Sequence, residues 1–293
     1  MQNVCVDMKA KIYLHIGIGK TGTTSIQDYL FSNRFELKEK GILYPEVGLR
    51  GTGRHDLAKL DNKRIGEKEQ SLYRKLIEEI DSSGCHKIII SSENFAFLKE
   101  DYVKEVAWFF KSYDVKLIFY VRNQVPLIQS TFLEWQKVNK NYLETIEKFF
   151  TVHHDGFDFL QRVKFYIEAF DKENIITRVF DKRNIGKDVR ADFSRLIGIG
   201  VDISKANEDS NTSLLTEFSK IVSLIDKAGI DSSGRRLIIN GLLAISNKFR
   251  PLSTSCLIDT KLKNRIIKRY KKSNNFFADK FLDDYQKRML LEV

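Results

Sequence analysis

Residues 11–30, KIYLHIGIGKTGTTSIQDYL, join an apolar run to a burst of glycine, lysine and hydroxyl side chains, and then to a helical pattern. KIYLHI has the β-branched and aromatic make-up of a buried strand, and IQDYLF has the spacing of the helix that follows it. Between them Gly17, Gly19 and Gly22 allow a tight fold that aims successive backbone N–H groups at one point. The helix start adds unpaired donors and a partial positive charge. Lys20 supplies a full charge, and Thr21, Thr23, Thr24 and Ser25 supply hydroxyls. A strand–loop–helix of this composition is an anion cradle, and phosphate is its usual guest. The plainer alternative is a Gly/Thr-rich turn with no ligand, which leaves the lysine among the hydroxyls without a reason.

The cradle is not the nucleoside-triphosphatase loop, which requires GxxxxGK[ST]. With Gly19-Lys20-Thr21 as its end, the first glycine falls on position 14, which is Leu14, inside the strand. Such an enzyme also needs an acidic residue for magnesium at the end of a neighbouring strand. Glu93, after KIIISS, is available for that, but no aspartate ends such a strand.

Working outward, three more runs read as buried strands: 87–91 (KIIIS), 116–121 (KLIFYV) and 175–180 (IITRVF). Helical periodicity lies between them, in Leu72, Leu76 and Ile80, and in Leu160, Val163, Ile167 and Phe170. Strands alternating with helices imply βαβ units, a parallel sheet and helices on both faces. Past Val189 the chain turns mostly helical, with apolar residues at helical intervals over 215–225, 237–245 and 262–270. Only three prolines occur in 293 residues, with no linker, repeat or low-complexity tract. The expectation is one α/β domain over 1–293, with a core at 11–200 and a helical C-terminal extension at 210–293 packed on it.

A net charge of +10 points to an anionic partner, or to nothing beyond a basic surface. Hydrophobic residues make up 42% of the chain and aromatic residues 12%, enough for a sizeable core. Cys5, Cys85 and Cys256 are odd in number and far apart, with no metal spacing, and read as reduced thiols. No signal-peptide pattern opens the chain, and no run approaches the ~20 apolar residues of a membrane span. These features predict a cytoplasmic protein.

HIGIGKTGTTSIQ resembles the 5′-phosphosulfate loop of sulfotransferases that use 3′-phosphoadenosine 5′-phosphosulfate (PAPS), especially bacterial members and those acting on carbohydrates. The family's second signature is an arginine after another strand, with a serine eight residues on, both holding the 3′-phosphate. KLIFYVRNQVPLIQSTF is similar to it, with Arg122 directly after Val121 and Ser130 eight positions further. An arginine fork matches a terminal phosphate bidentately, and a serine hydroxyl completes the cage. Weaker likeness runs through FDKRNIGKDVRADFSRLIGI, DSNTSLLTEF and YKKSNNFFADKFL, while 139–158 matches nothing.

The resemblance implies a P-loop nucleotide-kinase-like fold and transfer of a sulfuryl group to an acceptor hydroxyl, with PAP (3′,5′-adenosine bisphosphate) as product and no metal required. It implies Lys20 at the departing phosphate, the 19–25 loop, Arg122 and Ser130 around the donor, and a carbohydrate or glycolipid acceptor. The proton acceptor is open between two residues. Glu93 lies just past the carboxyl end of the second predicted strand, where Phe95 and Phe97 offer desolvation; an N-cap or surface ion pair is the alternative. His55, in RGTGRHDLAKL, follows a Gly-rich loop and titrates in the useful range. His153 and His154 read as polar-loop residues, with an acceptor contact or adventitious metal binding as the alternative, and His15 as a satisfied core histidine.

The run KLKNRIIKRYKK carries seven basic residues and no acid, with Leu262, Ile266 and Ile267 as an apolar side. It reads as a solvated helix face or a surface for an anionic glycan. No cue for nucleic acid supports it. Two other classes stay open: a P-loop kinase or triphosphatase with unusual loop spacing, and a non-catalytic polyanion-binding module.

Overall fold

The computed structural model describes residues 10–140, 142–186, 188–199, 214–249 and 256–292. Cys5, part of DSNTSLLTEF, and single positions in two stretches discussed above (Asn141 and Lys187) lie outside them.

The chain begins with β1 (Lys11–His15), α1 (Thr23–Ser32), α2 (Arg34–Glu39) and β2 (Ile42–Leu43). It continues through α3 (Glu67–Ser82), β3 (Lys87–Ser91), α4 (Glu100–Phe110), β4 (Asp114–Val121) and α5 (Gln124–Val138). Next come α6 (Ile146–His153), α7 (Phe159–Phe170), β5 (Ile175–Val179), α8 (Lys182–Ile185) and α9 (Val189–Leu196). The C-terminal part holds α10 (Ser219–Lys227), α11 (Ser232–Phe249), α12 (Thr260–Phe281) and α13 (Asp284–Leu291).

Among the described residues the strands form one five-stranded sheet in the order β2-β3-β1-β4-β5, with every pairing parallel. This is the P-loop nucleotide-kinase-like arrangement expected from the sequence. Two strands leave β1 on opposite sides, so the loop after it opens at the point where the winding reverses, the usual ligand position in such sheets.

The strands read as near-continuous apolar runs because both faces are covered. Their alternation sends successive side chains into opposite layers. Ile12, Leu14, Ile88, Ile90, Leu117 and Phe119 enter a core shared with α3, α4, α5, α7 and α12. Tyr13, Ile89, Ile118 and Tyr120 enter the other, shared with α1, α2 and α9. Helix starts follow side-chain caps: Asn123 Oδ1 accepts from Val125 N at 3.0 Å to open α5, and Asp158 and Asp259 open α7 and α12.

The expected strands form with shifts of a residue or two at their ends, whereas the expected helical segments fall on helices with other bounds, such as 262–270 within Thr260–Phe281. β4 starts earlier than expected, where Asp114 pairs with Lys11 in register and by an ion pair of 3.1 Å. β2 was not expected: two residues are too few to show a period, and pairing with Lys87 and Ile88 alone makes them a strand. The segment expected as a helix from 215 begins with a 3-10 turn, Thr216–Phe218.

The C-terminal helices lie against the sheet layer. α12 packs on α5 and α7, and α13 on β5. The outer edge of β5 is occupied by a side chain: Gln286 Oε1 accepts from Val179 N at 3.0 Å. Thr177 Oγ1 likewise donates to Phe281 O at 2.5 Å. Arg235 of α11 pairs with buried Asp226 at 2.7 Å and donates to the carbonyls of Gln136, Lys137 and Asn139, which end α5. The basic helix buries Leu262, Ile266 and Tyr270, so the apolar side includes Tyr270, while Ile267 is half-buried. No described helix is long and apolar enough to cross a membrane.

Candidate active site

The loop from β1 to α1 is held by constraints that explain its residues. Gly22 caps α1 with φ 81°, and a Cβ there would meet Val189 Cγ1 at 2.8 Å. Lys20 takes φ 68°, a left-handed conformation rare for a side-chain-bearing residue and frequent at functional sites. A Cβ on Gly19 would meet nothing within 4 Å, so that side of the loop is open. Thr21 is fully buried and its hydroxyl donates to Ile18 O at 2.5 Å. Its side chain therefore staples the loop and is not part of the cleft lining.

The loop after β1 and the segment after β4 meet. Arg122, at the end of β4, donates from Nη1 to Lys20 O at 3.1 Å, and its guanidinium lies 5.6 Å from the Phe180 ring centre. Both border a cleft of about 1120 Å³ at the carboxyl ends of the strands. Gly19, Lys20, Gly22, Thr23, Thr24 and Ser25 line it, with Arg122, Ser130 on α5 and Glu93. Thr23 Oγ1 is buried and has no hydrogen-bond partner among the described residues, as suits a donor awaiting an acceptor oxygen. Burial pulls the Lys20 pKa down, and the charge of Glu134 opposes it.

Behind the loop a polar chain runs toward Glu93. His15 Nδ1 meets Ser91 Oγ at 2.9 Å, Gln27 Nε2 donates to Ser91 Oγ at 3.2 Å and also to Glu93 Oε2 at 3.3 Å. Glu93 thus meets an amide at the cleft wall. Phe97 lines the cleft too, whereas Phe95 is fully buried in the core. The cap of the turn Glu93–Phe97 is Ser92, not Glu93. His15 departs from a satisfied core histidine: its Nε2 has no partner among the described residues, and burial lowers its pKa to about 3. The ring is neutral at any ordinary pH.

His55 does not line the cleft. Its Nδ1 meets Ser92 Oγ at 2.8 Å, and burial lowers its pKa against the opposing charge of Glu93. His154 is held by Thr151 O at 3.0 Å, away from the cleft lining, whereas His153 lines the cleft and lies 4.5 Å from Trp135, ring to ring.

The other half of the cleft was not read from the sequence, apart from His153, for which an acceptor contact is the alternative reading. α6 supplies Phe149, Val152 and His153, α5 supplies Trp135 and Lys137, and Arg162 lies 4.4 Å over the Phe97 ring. Glu134 is the other omission: it pairs with Lys20 at 3.3 Å and Lys137 at 2.6 Å. A signal was present, since Ser130, Glu134 and Lys137 sit at i, i+4 and i+7 on one helix face.

No family model and no curated protein matches the chain. Among solved structures it is similar to a sulfotransferase from Alicyclobacillus acidocaldarius, at 17% identity and a TM-score of 0.43, over 76% of this chain and 98% of that one. It is also similar to retinol dehydratase in complex with androsterone and the inactive cofactor PAP, at 11% identity and a TM-score of 0.37, over 90% of this chain and 80% of that one.

Proposed function

We propose that the protein is a PAPS-dependent sulfotransferase acting on an acceptor hydroxyl, with a carbohydrate or glycolipid as the acceptor. The observation that carries this reading is the convergence of Lys20, Arg122 and Ser130, from a loop, a strand end and a helix, on one cleft. The residues fit the donor: an open loop side at Gly19, the unpartnered Thr23 hydroxyl, and two cations set for two phosphates. When bound, the donor would supply the sulfuryl group. Arg122 and Ser130 would hold the 3′-phosphate. The loop N–H groups and Lys20 would stabilise the negative charge that grows on the 5′-phosphate as its bond to sulfur breaks. Glu93, the candidate base on the cleft wall, would take the proton of the acceptor hydroxyl as its oxygen bonds to sulfur, with Gln27 orienting the carboxylate.

Calorimetric titration with PAP, ADP and ATP–magnesium tests the donor. A charge-assisted contact to the 3′-phosphate is worth about 1.5–3 kcal/mol, so PAP should bind roughly 10- to 150-fold tighter than ADP. Arg122→Ala should erase that preference. Because Arg122 also holds the loop through Lys20 O, Ser130→Ala serves as the second variant and should narrow the preference without touching the loop. Equal or tighter ATP–magnesium binding would overturn the reading in favour of a kinase, and binding of none would favour a polyanion-binding module.

A further inference from the structure

Glu134 is an acid in a site built for anions. It lies one helical turn beyond Ser130, with Oε2 3.3 Å from Lys20 Nζ and Oε1 2.6 Å from Lys137 Nζ. Arg122 stands close by, holding the Lys20 carbonyl. Three cations therefore surround the loop, and Glu134 supplies a negative charge to two of them. A carboxylate there occupies the ammonium that a phosphate needs, and it repels the phosphate as it arrives.

We propose that Glu134 is a positioning residue that stands in for the donor's phosphate, holding Lys20 over the cleft until the donor displaces it. This rests on the reading of the cleft as a PAPS site. The two contacts differ in a way that suits an exchange. The shorter one, to Lys137, anchors the carboxylate, so Lys20 can leave for the phosphate without stranding Glu134 unpaired. Lys20 and Glu134 keep only 21% and 31% of their side-chain surface exposed, so the departure of Glu134 with nothing to replace it would leave Lys20 poorly solvated. Burial and the neighbouring cations Lys137 and Arg122 pull the Lys20 pKa down, while Glu134 holds it up.

The sign of one substitution separates this role from a structural ion pair. Glu134→Gln keeps the shape and removes the competitor. It should bind PAP about three- to tenfold tighter at pH 7, by calorimetry on the full chain. A contact that merely braces the cleft would give weaker binding when removed. A second readout follows from the charge. Without Glu134, Lys20 loses its proton more easily, so the alkaline fall in PAP affinity should begin at lower pH in Glu134→Gln than in wild type. Glu134→Ala should change both quantities in the same direction. Unchanged or weaker PAP binding by a folded Glu134→Gln protein would overturn this proposal and leave the donor reading intact. No PAP binding by the wild type would overturn the donor reading, and this proposal with it.

Discussion

The sequence leaves the proton acceptor open between Glu93, just past the carboxyl end of a predicted strand, and its rival His55, after a Gly-rich loop. Distance along the chain says nothing about which one faces the ligand. In the folded protein Glu93 lines the cleft with its carboxylate against Gln27, while His55 is bonded to Ser92 outside the cleft lining. Glu93→Gln should accordingly lower turnover by about 10²- to 10⁴-fold with PAP binding retained. His55→Ala should keep most of its turnover. Steady-state rates with one defined acceptor, beside PAP titrations of both variants, check the assignment; the reverse ranking would make His55 the base. His15 carries a different lesson. A histidine inside an apolar strand is legible as core. That only one of its nitrogens finds a partner depends on Ser91, 76 positions away. No local pattern holds that information.

Elements were legible where local patterning decides them. The strands around Leu14, Ile89 and Phe119 are apolar on both faces, and α3 and α7 repeat an apolar residue every turn, so each declares itself over a few residues. β2 is set by its neighbour, and α6 sits in a stretch whose aromatic residues serve the cleft as well as the core, which blurs the period. The loop after β1 was legible because a positive φ and the approach of Val189 demand glycine at position 22, and a lysine among hydroxyls stands out beside it. The face of α5 that bears Ser130, Glu134 and Lys137 was only half read, since its acid contradicts an anion site until the ion pairs are seen. The position of that face also depends on the far end of the helix, where Arg235 caps three carbonyls and meets Asp226, whose side chain is fully buried. Arg235→Met strands the Asp226 charge, and removing one partner of a buried pair costs about 3–5 kcal/mol. Urea denaturation should show a loss of that order. A loss below about 1 kcal/mol would mean that water already satisfies the pair.

At the scale of the molecule, the sequence reads as one domain, a core at 11–200 with a helical extension at 210–293 packed on it, and we propose that the two parts fold as one unit. α12 shares the apolar layer of α5 and α7, and α13 closes on β5. The sequence shows α12 as amphipathic over 262–270 and gives no reading of α13, and what either covers is a matter of tertiary placement. A last consequence concerns the free rim of the sheet. Val179 offers its N–H outward, and Gln286 receives it in place of another strand. A chain ending after Leu282 would bare that rim, and an unpaired strand edge is a template for the same edge of another molecule. Such a shortened protein should gather into oligomers or fibrils at concentrations where the full chain stays monodisperse. Light scattering with thioflavin fluorescence would register it, and a truncated chain that remains monodisperse would show that the rim is guarded by something other than Gln286. Where the shortened chain does assemble, the last eleven residues are in effect a built-in guard against self-assembly.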